Sequence, residues 1–207
     1  MKIRFVAVLL LAGLAASPLV RAGEGLLGLD HRVSYDASGI WSRDVQLGLM
    51  YSLLATEVGI AAWEGGDSRL GKTAWQSIDS TVATGLLVQG MKVGFSRARP
   101  RDSADPNQWF KGGGNASFPS GEASLAATVV TPFILEYGRE HPSVYSLALL
   151  PAYDAVARVK TWGHWQSDVL AGVAIGAAMG WYMHGRESPL VLSVLPDGVH
   201  VGLSKRW

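Results

Sequence analysis

The sequence contains no cysteine among its 207 residues. Disulfide bonds, thiolate metal sites and cysteine nucleophiles are therefore excluded in any compartment. Hydrophobic residues make up 48% of the chain and charged residues 17%. This composition is too apolar for a disordered protein and is sufficient for one domain with a packed core. The stability of that domain must come from packing.

An excess of charge of one sign is also missing, because 18 basic residues stand against 17 acidic ones. Nucleic-acid-binding domains have a clearly basic surface, so no nucleic-acid partner is expected.

The first 22 residues have the pattern of a secretory signal peptide. A short basic start, MKIR, precedes an apolar stretch of 16 residues, and Val20-Arg21-Ala22 offers a small-x-small cleavage site. The stretch is short and contains Pro18, which favours cleavage over an N-terminal anchor. We therefore expect an exported mature chain, residues 23–207, in the periplasm or associated with an envelope membrane. Removal of residues 1–22 leaves 15 basic and 17 acidic residues, a net charge of about −2.

The alternating pattern of β-strands is absent between residues 41 and 184. Five segments rich in Ala, Leu, Val and Gly predict helices instead. They cover about 41–63, 73–95, 121–138, 143–160 and 165–184. Two β-prone runs around Pro196-Asp197-Gly198 predict a short hairpin over residues 188–207. The predicted fold is a single all-α domain, a helical bundle that ends in this hairpin.

Beyond the signal peptide, no run reaches the roughly 20 apolar residues of a comfortable membrane span. Val169–Met183 is uncharged over 15 residues, and the longer run Val45–Ala62 contains Glu57. We expect these segments to be buried core helices of an exported protein that contacts the membrane. A small membrane-embedded bundle is the alternative, since helices that are apolar all round fit it as well.

A glycine-rich loop, KGGGNAS, leads into FPSGEAS at residues 118–124, where a long apolar segment begins. The free backbone N–H groups and the dipole of a helix start bind anions. Basic residues precede and follow this junction in the sequence. One lysine and two arginines can surround the oxygens of a phosphate group. The candidate phosphate-binding residues are Lys92, Arg99, Ser120, Gly121 and Arg158.

His164 and Asp168 lie four residues apart at the predicted start of a helix, so they can share one face. The carboxylate of Asp168 can then accept the Nδ1–H of the imidazole and leave Nε2 free to attack. This pair is a candidate nucleophile with the residue that orients it.

Taken in order, these elements resemble the type 2 phosphatidic acid phosphatase superfamily, which also includes bacterial class A acid phosphatases and vanadium haloperoxidases. The family pattern is K-x6-RP, then PSGH, then SR-x5-H-x3-D. The matching residues are Lys92, Arg99 and Pro100, then Pro119, Ser120 and Gly121, then Arg158, His164 and Asp168. The resemblance implies a helical bundle in which His164 attacks phosphorus, water hydrolyses the phosphohistidine, and Asp168 holds His164. It implies neither a metal nor another cofactor.

The chain departs from the pattern at two positions, Ala157 for the serine and Glu122 for the histidine of PSGH. In the family that histidine protonates the leaving oxygen and helps to activate water. An apolar environment would raise the pKa of Glu122 and allow the same role, whereas nearby cations would keep it ionised. A glutamate in a first helical turn also simply complements the helix dipole.

The resulting prediction is a metal-independent phosphatase at the cell envelope. Its substrate would be a phosphate monoester or a diphosphate, with a lipid phosphate as the candidate, and Glu122 would be a catalytic residue beside His164 and Asp168. One alternative is a catalytically degenerate phosphate-binding or lipid-binding envelope protein. The other, a vanadate-dependent haloperoxidase, is disfavoured by the small size of the chain and by the missing histidine. The sequence does not indicate an oligomeric state.

Overall fold

The structure is a computed structural model that describes residues 25–186, 193–195 and 198–200. The predicted signal peptide lies outside these residues. Five α-helices form most of the described chain: α1 Arg43–Glu64, α2 Arg69–Phe95, α3 Gly121–Tyr137, α4 Leu149–Lys160 and α5 Gln166–His184. Three 3-10 helices span Leu26–Gly28, Gly39–Trp41 and Pro142–Ala148. The predicted all-α bundle is confirmed over the described residues.

Serine side chains begin three of these helices. The hydroxyl oxygens of Ser42, Ser68 and Ser120 each accept a hydrogen bond from the backbone N–H three residues further along. Such caps satisfy N–H groups that have no partner within the helix. The cap at Ser68 explains why α2 begins at Arg69, four residues before its predicted start.

The segment predicted as one helix over 143–160 consists of two parts. Pro142–Ala148 is a 3-10 helix and α4 begins only at Leu149. Pro151 thereby falls in the first turn of α4, where its missing N–H removes no intrahelical hydrogen bond. An α-helix that began at residue 143 would have placed this proline in its interior.

Helix α3 is the central helix of the bundle, and it packs most extensively against α5 and then against α2. Small residues allow α3 and α5 to approach closely. A Cβ atom on Gly176 of α5 would lie 2.1 Å from the carbonyl oxygen of Ser124 on α3, and one on Gly172 would lie 2.6 Å from that of Ser120. This close approach brings the start of α3 against the start of α5.

Helix α1 is not the buried core helix that the sequence predicted. Its buried residues are few, and Tyr51, Val58 and Trp63 are more than half exposed. Glu57, the one charged residue in the apolar run, points inward and accepts a hydrogen bond of 2.6 Å from Ser77. Of the helices in the described ranges, α1 alone has the length and apolar composition needed to cross a membrane.

Two short strands follow the bundle. The strands β1 (Ser193–Leu195) and β2 (Gly198–His200) pair antiparallel, with Val194 opposite Val199. The turn between them and most of the predicted hairpin, residues 188–207, lie outside the described residues. The hairpin as a unit therefore stays a prediction.

Candidate active site

The end of α2 and the loop that follows it bring two cations together. Lys92 lies in the last turn of α2. Its Nζ donates to the carbonyl oxygen of Ala116 at 2.7 Å, and Nη2 of Arg99 donates to the same oxygen at 3.1 Å. Burial, and next the charges of Arg99 and Arg158, lower the pKa of Lys92 to about 8. Both cations of the K-x6-RP element thus lie side by side.

The start of α3 faces these cations. The backbone N–H of Ser120 donates to the carbonyl oxygen of Asp168 at 2.9 Å. A Cβ atom on Gly121 would lie 3.5 Å from Cε of Lys92, an ordinary van der Waals contact. The N-terminal turn of α3 therefore lies directly beside the Lys92 side chain.

The turn between α4 and α5 holds Arg158 and His164 together. The backbone N–H groups of Gly163 and His164 both donate to the carbonyl oxygen of Arg158, at 2.9 and 3.2 Å. A Cβ atom on Gly163 would lie 2.5 Å from Nη2 of Arg158. The guanidinium group therefore folds back over this turn, and a Cβ atom at position 163 would displace it.

His164 is buried at the centre of this group. Its Nε2 lies 3.4 Å from Nη1 of Arg99, and its Nδ1 lies 3.6 Å from Oδ2 of Asp168. Because an arginine can only donate, the ring proton belongs on Nδ1, facing Asp168. Burial lowers the pKa of His164 to about 3, with Asp168 opposing and Arg99 and Lys92 adding to the effect. The imidazole is therefore neutral near pH 7.

Asp168 has several donors of its own. It accepts hydrogen bonds from Ser117 at 2.5 Å, from the backbone N–H of Trp165 at 2.9 Å and from Arg97 at 2.6 Å. Burial raises its pKa, but His164, Arg97 and Ser117 outweigh burial and hold the pKa below its usual value. The contact with Nδ1 of His164 is longer than a hydrogen bond. Asp168 is thus a fixed anion next to the imidazole.

Arg97 is a site residue that sequence reasoning missed. It is fully buried and also donates to Asp30 at 2.6 Å, so it joins the segment before α1 to Asp168. The rings of Trp109 and Trp165 lie over its guanidinium group, with centroids at 4.2 and 5.6 Å. Its position inside K-x6-RP, two residues before Arg99, was the available sequence signal.

Glu122, which replaces the family histidine, has a partner that the sequence did not reveal. Two nitrogens of Arg43, at the start of α1, contact its two carboxylate oxygens at 2.5 and 2.6 Å. Nε of Arg158 lies 3.8 Å away. Burial raises the pKa of Glu122, but Arg43 and Arg158 outweigh it and hold the pKa below the usual value. The cations thus prevail over burial, and Glu122 is ionised.

The structure brings all eight predicted site residues to one place, where the ends of α2 and α4 meet the starts of α3 and α5. No group of three or more His, Asp or Glu side chains suited to a metal ion occurs in the described part of the chain.

Residues 73–188, more than half of the chain, match the sequence profile of the PAP2 superfamily. The chain belongs to this superfamily. PAP2 is the phosphatidic acid phosphatase group that the three motifs resemble, and the matched range contains all eight predicted site residues.

Two curated relatives of this PAP2 protein are lipid A 1-phosphatases. That of Porphyromonas gingivalis is 36% identical over 98 residues, which cover 46% of this chain and 20% of the relative. That of Rhizobium etli is 31% identical over 130 residues, which cover 58% of this chain and 53% of the relative. The chain thus spans about a fifth and about half the length of these proteins.

Two solved structures share the fold. The transmembrane PAP2-type phosphatidylglycerolphosphate phosphatase of Bacillus subtilis has a TM-score of 0.55 and 22% identity, over 72% of this chain and 77% of that one. Aquifex aeolicus LpxE has a TM-score of 0.52 and 20% identity, over 71% of this chain and 87% of that one. The PAP2-type helical bundle predicted from the motifs is therefore confirmed.

Proposed function

We propose that this PAP2 protein is a phosphatase that hydrolyses a phosphate monoester or diphosphate through a phosphohistidine at His164, without a metal. The observation that carries the proposal is the position of His164, a buried imidazole whose Nε2 lies 3.4 Å from Nη1 of Arg99 in the middle of a cationic group. A neutral imidazole can act as a nucleophile, and cations beside it favour a phosphorylated substrate.

Donors for the phosphate oxygens are available in this group. Lys92 and Arg99 share one carbonyl oxygen, that of Ala116, and Arg99 also donates to that of Gly163, whereas an ammonium offers three N–H donors and a guanidinium five. Nε of Arg158 is buried and has no hydrogen-bond partner. Together with Ser120 and the backbone of Gly121 at the start of α3, these groups would bind the phosphate.

The reaction would proceed in two displacements at phosphorus. Nε2 of His164 attacks, the bond to the leaving oxygen breaks, and the imidazole becomes a phosphorylated cation whose Nδ1–H faces Asp168. Asp168 stabilises this cation, and the contact of 3.6 Å would shorten as the charge develops. Water then attacks phosphorus and loses one proton, which balances the proton taken up by the leaving oxygen. The P–N bond breaks, and the electron pair returns to Nε2.

A lipid phosphate is the substrate class that we propose. Both curated relatives are lipid A 1-phosphatases, so the 1-phosphate of lipid A is the first candidate. The exposed apolar side chains of α1 and α2, among them Trp63 and Leu86, would contact the membrane in which such a substrate resides. We propose an envelope-associated protein for the same reason, and an exported one because residues 1–22 have the pattern of a signal peptide.

A second candidate is a phosphate-binding or lipid-binding protein without turnover. The ion pair between Glu122 and Arg43 favours it, because an ionised Glu122 cannot protonate a leaving oxygen and adds a negative charge next to the phosphate site.

Phosphate release decides between the two candidates. The purified mature chain would be assayed with lipid A, phosphatidic acid, a prenyl diphosphate and p-nitrophenyl phosphate, and acid-quenched for phosphohistidine. We expect turnover of at least one substrate, and a loss of more than about 10³-fold in His164→Ala, because the nucleophile is removed.

The control is His141→Ala, which removes an exposed histidine at the start of the 3-10 helix before α4. It should retain wild-type activity. A wild-type protein that binds phosphate but neither releases it nor forms a phosphohistidine would establish the non-catalytic candidate instead.

A further inference from the structure

The ion pair with Arg43 leaves the proposed reaction without an evident acid. Glu122 occupies the motif position of the family histidine, and both of its oxygens already accept hydrogen bonds from Arg43 at 2.5 and 2.6 Å. A carboxylate held in this way has no proton to give to the oxygen of an alkyl leaving group.

A second carboxyl group lies next to Glu122. Asp154 is on α4, one helical turn before Arg158, so both side chains lie on the same face. Only 4% of Asp154 is exposed, and its Oδ2 has no hydrogen-bond partner. Arg158 connects the two carboxyl groups, because its Nε lies 3.8 Å from Oε2 of Glu122 and Asp154 lies beside it on the same helix face.

The surroundings of Asp154 favour its neutral form. It borders a cavity of about 20 Å³ whose other walls include the apolar side chains of Met50, Leu53 and Leu150. The charged groups that face it are Glu122 on α3, Arg43 on α1 and Arg158 on its own helix. Burial is the main cause that raises the pKa of Asp154, and the charge of Glu122 is the second. They outweigh the opposite effect of Arg158 and Arg43 and bring the pKa to about 7.

We propose that Asp154 and Glu122 share one proton, and that this carboxyl pair takes over the acid and base role of the missing histidine. The inference rests on the proposed phosphatase function. Glu122 is the member next to the leaving oxygen, and Asp154 is a positioning residue that supplies the shared proton through Glu122. Carboxyl pairs that share a proton are an established solution to acid and base chemistry at one site.

The proton balance of this scheme closes. As Nε2 of His164 bonds to phosphorus, the bond between phosphorus and the leaving oxygen breaks, and the shared proton moves to that oxygen to release an alcohol. The pair is then a dianion flanked by Arg43 and Arg158. In the second step it takes a proton from the attacking water, the P–N bond breaks, and phosphate leaves with the pair once more singly protonated.

The test compares two leaving groups in single-turnover phosphorylation of His164. p-Nitrophenolate departs without a proton, whereas an alkoxide from an alkyl phosphate, such as phosphatidic acid, needs one. We expect Asp154→Asn to slow the reaction of the alkyl phosphate by about 10²- to 10⁴-fold and that of p-nitrophenyl phosphate by less than about 10-fold. The matched control is Asp67→Asn, in the exposed turn between α1 and α2, which should change neither rate.

A second measurement uses the unmutated protein. Below pH 7 the pair holds its proton, so the alkyl phosphate reaction should be independent of pH there and fall as pH rises through about 7. The reaction of p-nitrophenyl phosphate should fall only near pH 8, where Lys92 loses its charge. Equal losses for both substrates in Asp154→Asn, or identical pH profiles in wild type, would overturn the inference. Failure of wild type with every substrate would instead overturn the proposed function.

Discussion

At position 122 the identity of the neighbours decides what the side chain can do. A glutamate alone near a phosphate would repel it, but Arg43 neutralises this one with two short contacts. Gln46 links Arg43 to Arg158, at 3.2 and 3.3 Å from its Oε1. The replacement of the family histidine is therefore accompanied by a local network of partners.

Restoring the histidine tests that network. We expect Glu122→His to preserve or raise turnover, because an imidazole can protonate the leaving oxygen and the ionised form of Asp154 can support it. Initial rates with an alkyl phosphate would be measured for both variants, Glu122→His and Glu122→Ala, and for wild type. The Glu122→Ala protein has neither a carboxyl group nor an imidazole at this position, so it should be slower than wild type. A Glu122→His protein as slow as Glu122→Ala would contradict the expectation.

Residue spacing predicted part of this site and not the rest. Lys92, Arg99, Arg158 and His164 could be found because each lies at a fixed distance from another member of its motif. Arg43 could not, because its pairing with Glu122 depends on how α1 packs against α3, 79 residues further along the chain. Asp154 had a weak signal, its position four residues before Arg158.

Among the elements, helix ends and turns build the site while helix faces hold it together. The last turn of α2 with the loop after it, the first turn of α3 and the last turn of α4 supply the phosphate-site residues. Their mutual position depends on how closely α3 and α5 approach at Gly172 and Gly176. A substitution on that face should therefore affect stability without touching a functional side chain.

Gly176→Ala is the corresponding prediction. The added Cβ atom would lie 2.1 Å from a backbone oxygen of α3, so we expect the free energy of unfolding to fall by about 1–3 kcal/mol. Gly85→Ala, inside α2, is the control, because nothing lies within 4 Å of its Cβ position. The control should raise the free energy of unfolding by about 0.5–1 kcal/mol, since alanine favours helices. Denaturant unfolding in detergent would measure both, and a neutral Gly176→Ala would contradict the packing argument.

The sequence predicted the ends of helices where it contains a capping or helix-breaking residue. It did not predict which helix faces are exposed. The glycines and prolines around α3 defined it closely, whereas the start of α2 depends on the cap at Ser68, which lies outside the apolar pattern. Apolar content alone made α1 look like a core helix. Burial depends on the number of neighbouring helices, which no single segment encodes.

At the scale of the whole molecule, the unusual property is the number of large apolar side chains exposed on the surface of the helical bundle. Tyr51, Val58 and Trp63 on α1 and Leu86 and Val93 on α2 are all more than half exposed. Surfaces of this kind mark contact with a membrane or another protein.

We therefore expect the protein to stay with membranes after a sodium carbonate wash and to leave them in detergent. Immunoblots of the two fractions would measure this, with a peripheral envelope protein as the control that carbonate releases. Recovery of this chain in the carbonate supernatant would contradict the expectation.

The ion pairs that join Asp30, Arg97 and Asp168 determine which fragments of this protein can be studied in isolation. The superfamily profile begins at residue 73. Two residues earlier in the chain complete the site: Asp30 pairs with Arg97, and Arg43 neutralises Glu122. A fragment trimmed to the profile would retain every motif residue while exposing Arg97 on one side and stripping Glu122 of its counterion. Such a minimal version is poorly suited to judging whether the glutamate is compatible with catalysis, so activity measurements need the upstream segment.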